Sequence, residues 1–126
     1  MRLPAGTARP ARAALLALML PLVACEDPAE RAAAHHARGL ALLEAGEPGR
    51  AMLELRSALA ADPGFAPAHF AAGRALEAAG DLSGAFAHFR RAADLAPDMV
   101  KARVRAASYH LVTGDPEAAR TEIAAA

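Results

Sequence analysis

Small and apolar residues recur along this chain at a fixed spacing of 34 residues. The stretch from Ala34 to Pro63 aligns without a gap with the stretch from Ala68 to Pro97. The matched pairs are Gly39 and Gly73, Gly46 and Gly80, Ala51 and Ala85, Ala58 and Ala92, and Pro63 and Pro97. A constant period of this length is typical of proteins in which each repeat is one supersecondary unit.

The order of residues within each unit predicts two antiparallel helices. Gly39 and Gly73 would let two helix backbones cross closely while larger side chains fill the space beside them. A glycine lies where the first helix should end, as a left-handed C-terminal cap favours, and an acidic residue follows it at the start of the second helix. These pairs are Gly46–Glu47, Gly80–Asp81 and Gly114–Asp115. Pro63 and Pro97 close their units, because proline disfavours a helical residue before it.

This spacing resembles the tetratricopeptide repeat, which has a small residue at its eighth position, Ala at the twentieth, a large apolar residue at the twenty-fourth and Pro at the thirty-second. The repeats would span residues 32–65, 66–99 and an incomplete 100–126. The matching residues are Gly39, Ala51, Leu55, Ala58 and Pro63, then Gly73, Ala85, Phe89, Ala92 and Pro97, then Ala107, Gly114, Ala119 and Ile123. The family's early Trp position instead holds His35, His69 and Arg103. The resemblance implies an all-α fold, a right-handed α-solenoid of antiparallel helix pairs.

The N-terminal residues have the pattern of a bacterial lipoprotein leader. Three arginines without an acidic residue precede an apolar run at 13–24, which is too short to span a bilayer. The run ends in Leu22-Val23-Ala24-Cys25, which resembles a lipobox. We therefore expect residues 1–24 to be a cleaved signal peptide and residues 25–31 to be a lipidated Cys25 with a short tether. The alternatives are an ordinary secretory signal with an incidental cysteine, or an uncleaved anchor helix.

Charge and cysteine content exclude several classes of protein. The formal net charge is zero, with 14 basic and 14 acidic residues, so nothing favours nucleic-acid binding. Loss of the three leader arginines would leave a net charge of −3, which excludes a polybasic membrane patch and leaves attachment to the acyl anchor. A single cysteine excludes an intramolecular disulfide framework and a cysteine-based zinc site.

No pattern of residues predicts catalysis, a metal site or a cofactor. His35 and His36 are adjacent, and neighbouring helix residues point about 100° apart, which is unsuitable for chelating one metal. The better interpretation is that His35 and His69 replace the packing Trp of the repeat, with the other histidines on the surface. We therefore expect neither an enzyme nor a small-molecule substrate.

The resemblance implies a concave groove formed by the first helix of each repeat. The residues carried over as partner-binding are His36, Leu40, Glu44, Phe70, Arg74, Glu77, Lys101, Arg105, Ser108 and Leu111. Their mixture of apolar and charged groups suits a peptide or a partner helix. For Leu40, Phe70 and Leu111 the alternative is ordinary packing between helices. Lys101 and Arg105 also match part of the carboxylate clamp of chaperone-binding relatives. The other three clamp positions hold His36, Leu40 and Ala71, so a solvated basic stripe is the better interpretation.

These observations predict a membrane-anchored interaction module in the envelope of a bacterium with two membranes. Its repeats would face the periplasm and bind a protein partner, in assembly of the cell envelope or of a pilus or secretin. The alternative is an accessory or regulatory subunit of an envelope enzyme complex for peptidoglycan or exopolysaccharide synthesis.

Overall fold

A computed structural model describes residues 1–6 and 25–125 of the chain. Within these ranges the secondary structure is six helices and no strand. They are α1 (Pro28–Glu44), α2 (Pro48–Ala61), α3 (Ala66–Ala78), α4 (Leu82–Leu95), α5 (Val100–Val112) and α6 (Pro116–Ala124). Packing is extensive within the pairs α1–α2, α3–α4 and α5–α6, and between each pair and the next. The prediction of an all-α solenoid of antiparallel helix pairs is confirmed.

Each helix pair turns at a glycine in the left-handed conformation. The φ angles of Gly46, Gly80 and Gly114 are +74°, +86° and +80°. In the first turn the Gly46 amide donates to the Leu43 carbonyl at 3.1 Å, and the Glu47 amide donates to the Leu42 carbonyl at 2.9 Å. The other two turns repeat both bonds, so every first helix ends in a Schellman motif. The predicted glycine caps are confirmed.

Acidic residues occupy the N-cap positions of the second helices, as predicted, but they act in two ways. The carboxylates of Asp81 and Asp115 accept hydrogen bonds from backbone amides three residues ahead, at 2.9 and 3.0 Å. Glu47, with one more methylene, makes no such cap and instead forms an ion pair of 2.6 Å with Arg50. All three acids therefore lie at the positive end of a helix dipole.

Glycine permits the close helix crossing inside the first two repeats. A methyl group on Gly39 would lie 2.8 Å from Cγ of Leu55, and one on Gly73 would lie 2.5 Å from the Phe89 ring. Leu55 and Phe89 are almost fully buried and lie at the centre of the apolar clusters of their repeats. In the third repeat Ala107 occupies the equivalent of the glycine position and is buried.

The first helix begins earlier than the predicted repeat boundary at residue 32. Asp27 accepts a hydrogen bond from the Ala29 amide at 3.1 Å and Pro28 is the first helical residue, so the sequence Asp-Pro starts a helix. Of the predicted tether at 25–31, only residues 25–27 are non-helical. The predicted signal peptide lies mostly outside the described residues. Among the helices that are described, none combines the length and the apolar character needed to cross a membrane.

Candidate functional site

A pocket with a cavity volume of about 70 Å³ opens between α3, α4 and α5. Its polar lining comes from three predicted groove residues, Glu77, Arg105 and Ser108. Its larger apolar lining residues are Leu82, Phe86, Phe89, Tyr109 and Val112. The combination of an apolar lining with a few polar groups is what a protein pocket needs to hold one side chain of a partner.

Aromatic rings form the lining of this pocket because α4 and α5 bring them face to face. The rings of Phe86 and Tyr109 are stacked with their centroids 4.4 Å apart and their planes 15° from parallel. His110 meets the edge of Phe86 at 4.9 Å, and the Arg90 guanidinium lies 5.8 Å from the same ring. These contacts hold Phe86 and Tyr109 in one orientation, which keeps the aromatic lining in place without a ligand.

Two side-chain bridges connect α3 to α5 across the groove. One guanidinium nitrogen of Arg105 donates to both carboxylate oxygens of Glu77, at 3.0 and 3.1 Å. The Lys101 ammonium lies over the Phe70 ring, 4.6 Å from its centroid. Both ions of the first bridge remain partly exposed, so the pair contributes at most about 1 kcal/mol and can open for a ligand.

The other predicted groove residues are dispersed. Leu40 and Phe70 are half-buried and pack against core clusters, which favours the packing interpretation for both. Leu111 is 60% exposed, so packing does not account for it. Arg74 and Glu44 are exposed on α3 and at the end of α1.

His36 lies at the junction of the first two repeats. Its ring meets Phe65 edge to face, with 5.3 Å between centroids. Burial lowers the pKa of His36. A hydrogen bond to the Pro67 backbone raises this pKa in part, and the nearby Lys101 ammonium lowers it further. His36 therefore favours its neutral form, which suits hydrogen bonding or apolar contact with a partner more than charge pairing.

The structure does not supply a carboxylate clamp. Lys101 and Arg105 are engaged with Phe70 and Glu77. The clamp position at Ala71 is a buried methyl group that no ligand can reach. The match at Lys101 and Arg105 is thus better explained by bridges between repeats.

Sequence reasoning missed Phe86, Leu82 and Tyr109 as lining residues. The signal was the distribution of aromatic residues, which make up only 4% of the chain. All five Phe and Tyr residues fall between positions 65 and 109, and three of them line this pocket. A local concentration of aromatic rings in an alanine-rich chain marks where a pocket with an aromatic lining can form.

The prediction that His88 is a surface residue is wrong. His88 is half-buried, and its Nδ1 lies 3.1 Å from Nδ1 of His69. Nε2 of His69 donates to the Pro63 carbonyl at 2.9 Å, which leaves its Nδ1 to accept a hydrogen bond from His88. His35 likewise bonds Glu54, at 2.8 Å. Both histidines at the Trp position therefore lie between helices, as predicted, but they are held there by polar contacts.

The lowered pKa values of His88 and His36 predict that the protein loses stability in mild acid. Burial, then His69, then Arg56 lower the pKa of His88, and burial lowers that of His36. Below about pH 6.5 the unfolded histidines bind protons that the folded ones do not, so the free energy of unfolding falls as pH decreases. Urea unfolding at pH 7.5 and 5.0 measures this effect. His88→Glu, which reproduces the His35–Glu54 arrangement, should flatten the dependence; an equal loss in both proteins would contradict this origin.

No group of three or more His, Cys, Asp or Glu residues within 1–6 and 25–125 is arranged to hold a metal ion. The predicted absence of a metal site stays a prediction for the chain as a whole.

Solved structures with the same fold include several tetratricopeptide proteins. A crystal structure of MamA matches with a TM-score of 0.72 and 19% identity over 79% of this chain and 57% of MamA. MamA 41-end from Desulfovibrio magneticus RS-1 matches with a TM-score of 0.67 and 23% identity, over 73% of this chain and 52% of that one. This chain thus spans little more than half the length of those relatives. No curated protein sequence matches it.

A shorter structure matches over almost its full length. The second tetratricopeptide domain of Spaghetti (RPAP3), bound to the HSP90 peptide SRMEEVD, has a TM-score of 0.72 and 19% identity, covering 79% of this chain and 93% of that domain. Two family models, both described as tetratricopeptide repeat, match residues 36–100 and 76–126. The chain belongs to the tetratricopeptide repeat family.

Proposed function

We propose that this protein is a non-enzymatic interaction module that binds a segment of a protein partner across α3 and α5. The observation that carries this proposal is the aromatic pocket between α3, α4 and α5, in which polar groups from the predicted groove face stacked rings. A large apolar side chain of the partner would enter between Phe86 and Val112. The Spaghetti (RPAP3) domain bound to an HSP90 peptide supports the capacity of this fold to hold a peptide.

The polar groups of the pocket suit the flanking residues of the same segment. Glu77 and Arg105 offer one charge of each sign, and Ser108 offers a hydroxyl that already donates to the Val104 carbonyl at 2.9 Å, leaving its oxygen as an acceptor. A partner with a donor and an acceptor beside its apolar anchor would replace the ion pair with its own contacts. A segment that is apolar throughout would leave both charges unpaired, which disfavours it.

We further propose that Cys25 carries a lipid anchor and that the repeats face the periplasm. Cys25 is exposed and lies three residues before α1, so the solenoid would be held close to the lipid surface. The net charge of −3 without the leader gives no electrostatic attachment, and acyl chains contribute about 0.8 kcal/mol per buried methylene. In this position the module would serve envelope assembly, including a pilus or secretin, or an envelope enzyme complex as an accessory subunit.

Crosslinking and capture of the full chain in its native host tests the pocket. Ser108→Arg with Val112→Glu would fill and charge the pocket through exposed side chains, without removing core residues. We expect this pair to reduce capture of the partner about tenfold or more, the effect of losing one buried anchor. Leu53→Glu, at an exposed apolar position on α2, is the matched control.

Equal capture by the pocket variant and the wild type would place the binding surface elsewhere. The captured protein also separates the two envelope roles: a pilus or secretin component indicates assembly, and a synthase indicates an accessory subunit. Cys25→Ser tests the anchor independently. Membrane fractionation should move this variant to the soluble fraction, and its retention in the membrane would contradict the lipoprotein proposal.

A further inference from the structure

The third repeat exposes large apolar side chains at positions that the first two repeats bury or half-bury. Ile123 occupies the position of Leu55 and Phe89, yet it is 54% exposed where they are 0% and 3% exposed. Leu43, Glu77 and Leu111 occupy equivalent positions of the three repeats. Leu43 is half-buried, whereas Leu111 is largely exposed. We call Val104, Leu111 and Ile123 the exit face of the solenoid.

The inner repeats show what covers these positions. Leu55 and Leu43 pack in one cluster with Ala71, Ala72 and Ala75 of α3. Phe89 packs in the next cluster with Ala106 of α5. A first helix that presents small side chains therefore covers the large apolar groups of the repeat before it, and this contact is made twice within the chain.

The first helix presents the same small side chains, and no helix within residues 25–125 covers them. Ala34, Ala37 and Ala41 of α1 occupy the positions of Ala68, Ala71 and Ala75 of α3. The three on α3 are buried, whereas the three on α1 are exposed. We call Ala34, Ala37 and Ala41 the entry face. A capped solenoid carries polar residues on its outermost faces, whereas these two faces of the described helices expose apolar side chains.

We propose that the exit face of one molecule binds the entry face of a second copy, so that the contact between repeats continues between molecules. The occupant is a second copy because one chain carries both halves of this contact, in the register already used between its own repeats. An unrelated partner would need only one of the two faces. The contact joins different surfaces of the two molecules, so it forms open head-to-tail chains of increasing length and not a closed dimer.

Arg38, which adjoins the entry face on α1, opposes this contact and weakens it. Arg38 occupies the position of Ala72 and Ala106, which are buried against the preceding repeat. Its guanidinium contacts its own repeat, with Nε 3.0 Å from Glu54 of α2 and a terminal nitrogen 2.8 Å from His35 of α1. Docking of a second copy would partly bury Arg38, which makes the association weak and dependent on concentration.

Sedimentation velocity of the full chain in detergent, over a range of concentrations, tests this proposal. We expect a series of oligomers whose average size increases with protein concentration. Arg38→Ala, which places alanine where α3 and α5 already have it, should tighten the association about tenfold. Leu111→Glu or Ile123→Glu should abolish it, and the exposed Leu53→Glu should leave it unchanged. A monomer at every concentration, or weaker association by Arg38→Ala, would overturn the proposal.

Disulfide trapping distinguishes head-to-tail stacking from other modes of self-association. Leu111 and Ala37 stand in the register of Leu43 and Ala71, which belong to one apolar cluster between the first two repeats. In full-length chains that carry Cys25→Ser, Leu111→Cys and Ala37→Cys should form a disulfide dimer only when the two variants are mixed. Ser57→Cys is the matched exposed control. Dimers formed by either variant alone would indicate a symmetric interface and refute the stacking.

Discussion

Phe89→Ala should destabilise the fold more than any other single truncation, by about 3–5 kcal/mol. Phe89 is 3% exposed and contacts both its own repeat and the next, since its cluster includes Ala85 on α4 and Ala106 on α5. Its ring also lies 5.4 Å from that of Phe70. Removing the ring leaves a cavity that neighbouring alanines cannot fill, because their methyl groups are fixed to the helix backbones.

Equilibrium urea unfolding, followed by circular dichroism, measures this loss as a lower midpoint. Leu53→Ala is the control, because Leu53 is a large apolar residue that is 62% exposed and its truncation should change stability by less than about 0.5 kcal/mol. A loss below about 1 kcal/mol for Phe89→Ala would mean that the helices collapse into the space or that Phe89 does not hold the repeats together.

Gly73→Ala should destabilise the protein by about 1–3 kcal/mol, although alanine normally favours a helix. The added methyl group would lie 2.5 Å from the Phe89 ring, so either the ring or α3 must move. Gly49→Ala is the matched control, since Gly49 lies in α2 with nothing within 4 Å of the new methyl group. That variant should be more stable by up to about 1 kcal/mol.

The two glycine variants are compared by the same urea titration. If the Phe89 ring causes the loss in Gly73→Ala, adding Phe89→Leu should recover part of it, because the smaller side chain leaves room for the methyl group. Equal stability of Gly73→Ala and the wild type would show that the crossing can widen without loss.

The architecture was predictable because its determinants are local and repeated. Gly46, Gly80 and Gly114 end helices through bonds within a few residues, so their spacing alone locates the turns. The close approach of Gly73 to Phe89 follows from the same register, since a small residue and a large one recur at fixed positions of each unit. Repetition strengthened these assignments, as a single helix pair with the same residues would have been ambiguous.

The site was less predictable because it depends on how side chains from different repeats meet. His69 and His88 lie on separate helices, and only the rotamers in the folded state bring their rings together. The pocket depends on the stacking of Phe86 with Tyr109, and neither residue belongs to the positions that define the repeat. The start of α1 was missed for a different reason, because Asp27-Pro28 after a leader also resembles a linker.

The packing pattern of the helices has a consequence for folding speed. Most contacts between helices join consecutive helices, with a smaller set between α1 and α3, so contacting residues are close in the chain. The loops that must close before a contact forms are short, which keeps the entropic barrier low. Chains with such low contact order fold in about microseconds to milliseconds. Each helix pair of such a protein can therefore fold soon after its own residues have been synthesised, before the rest of the chain is present.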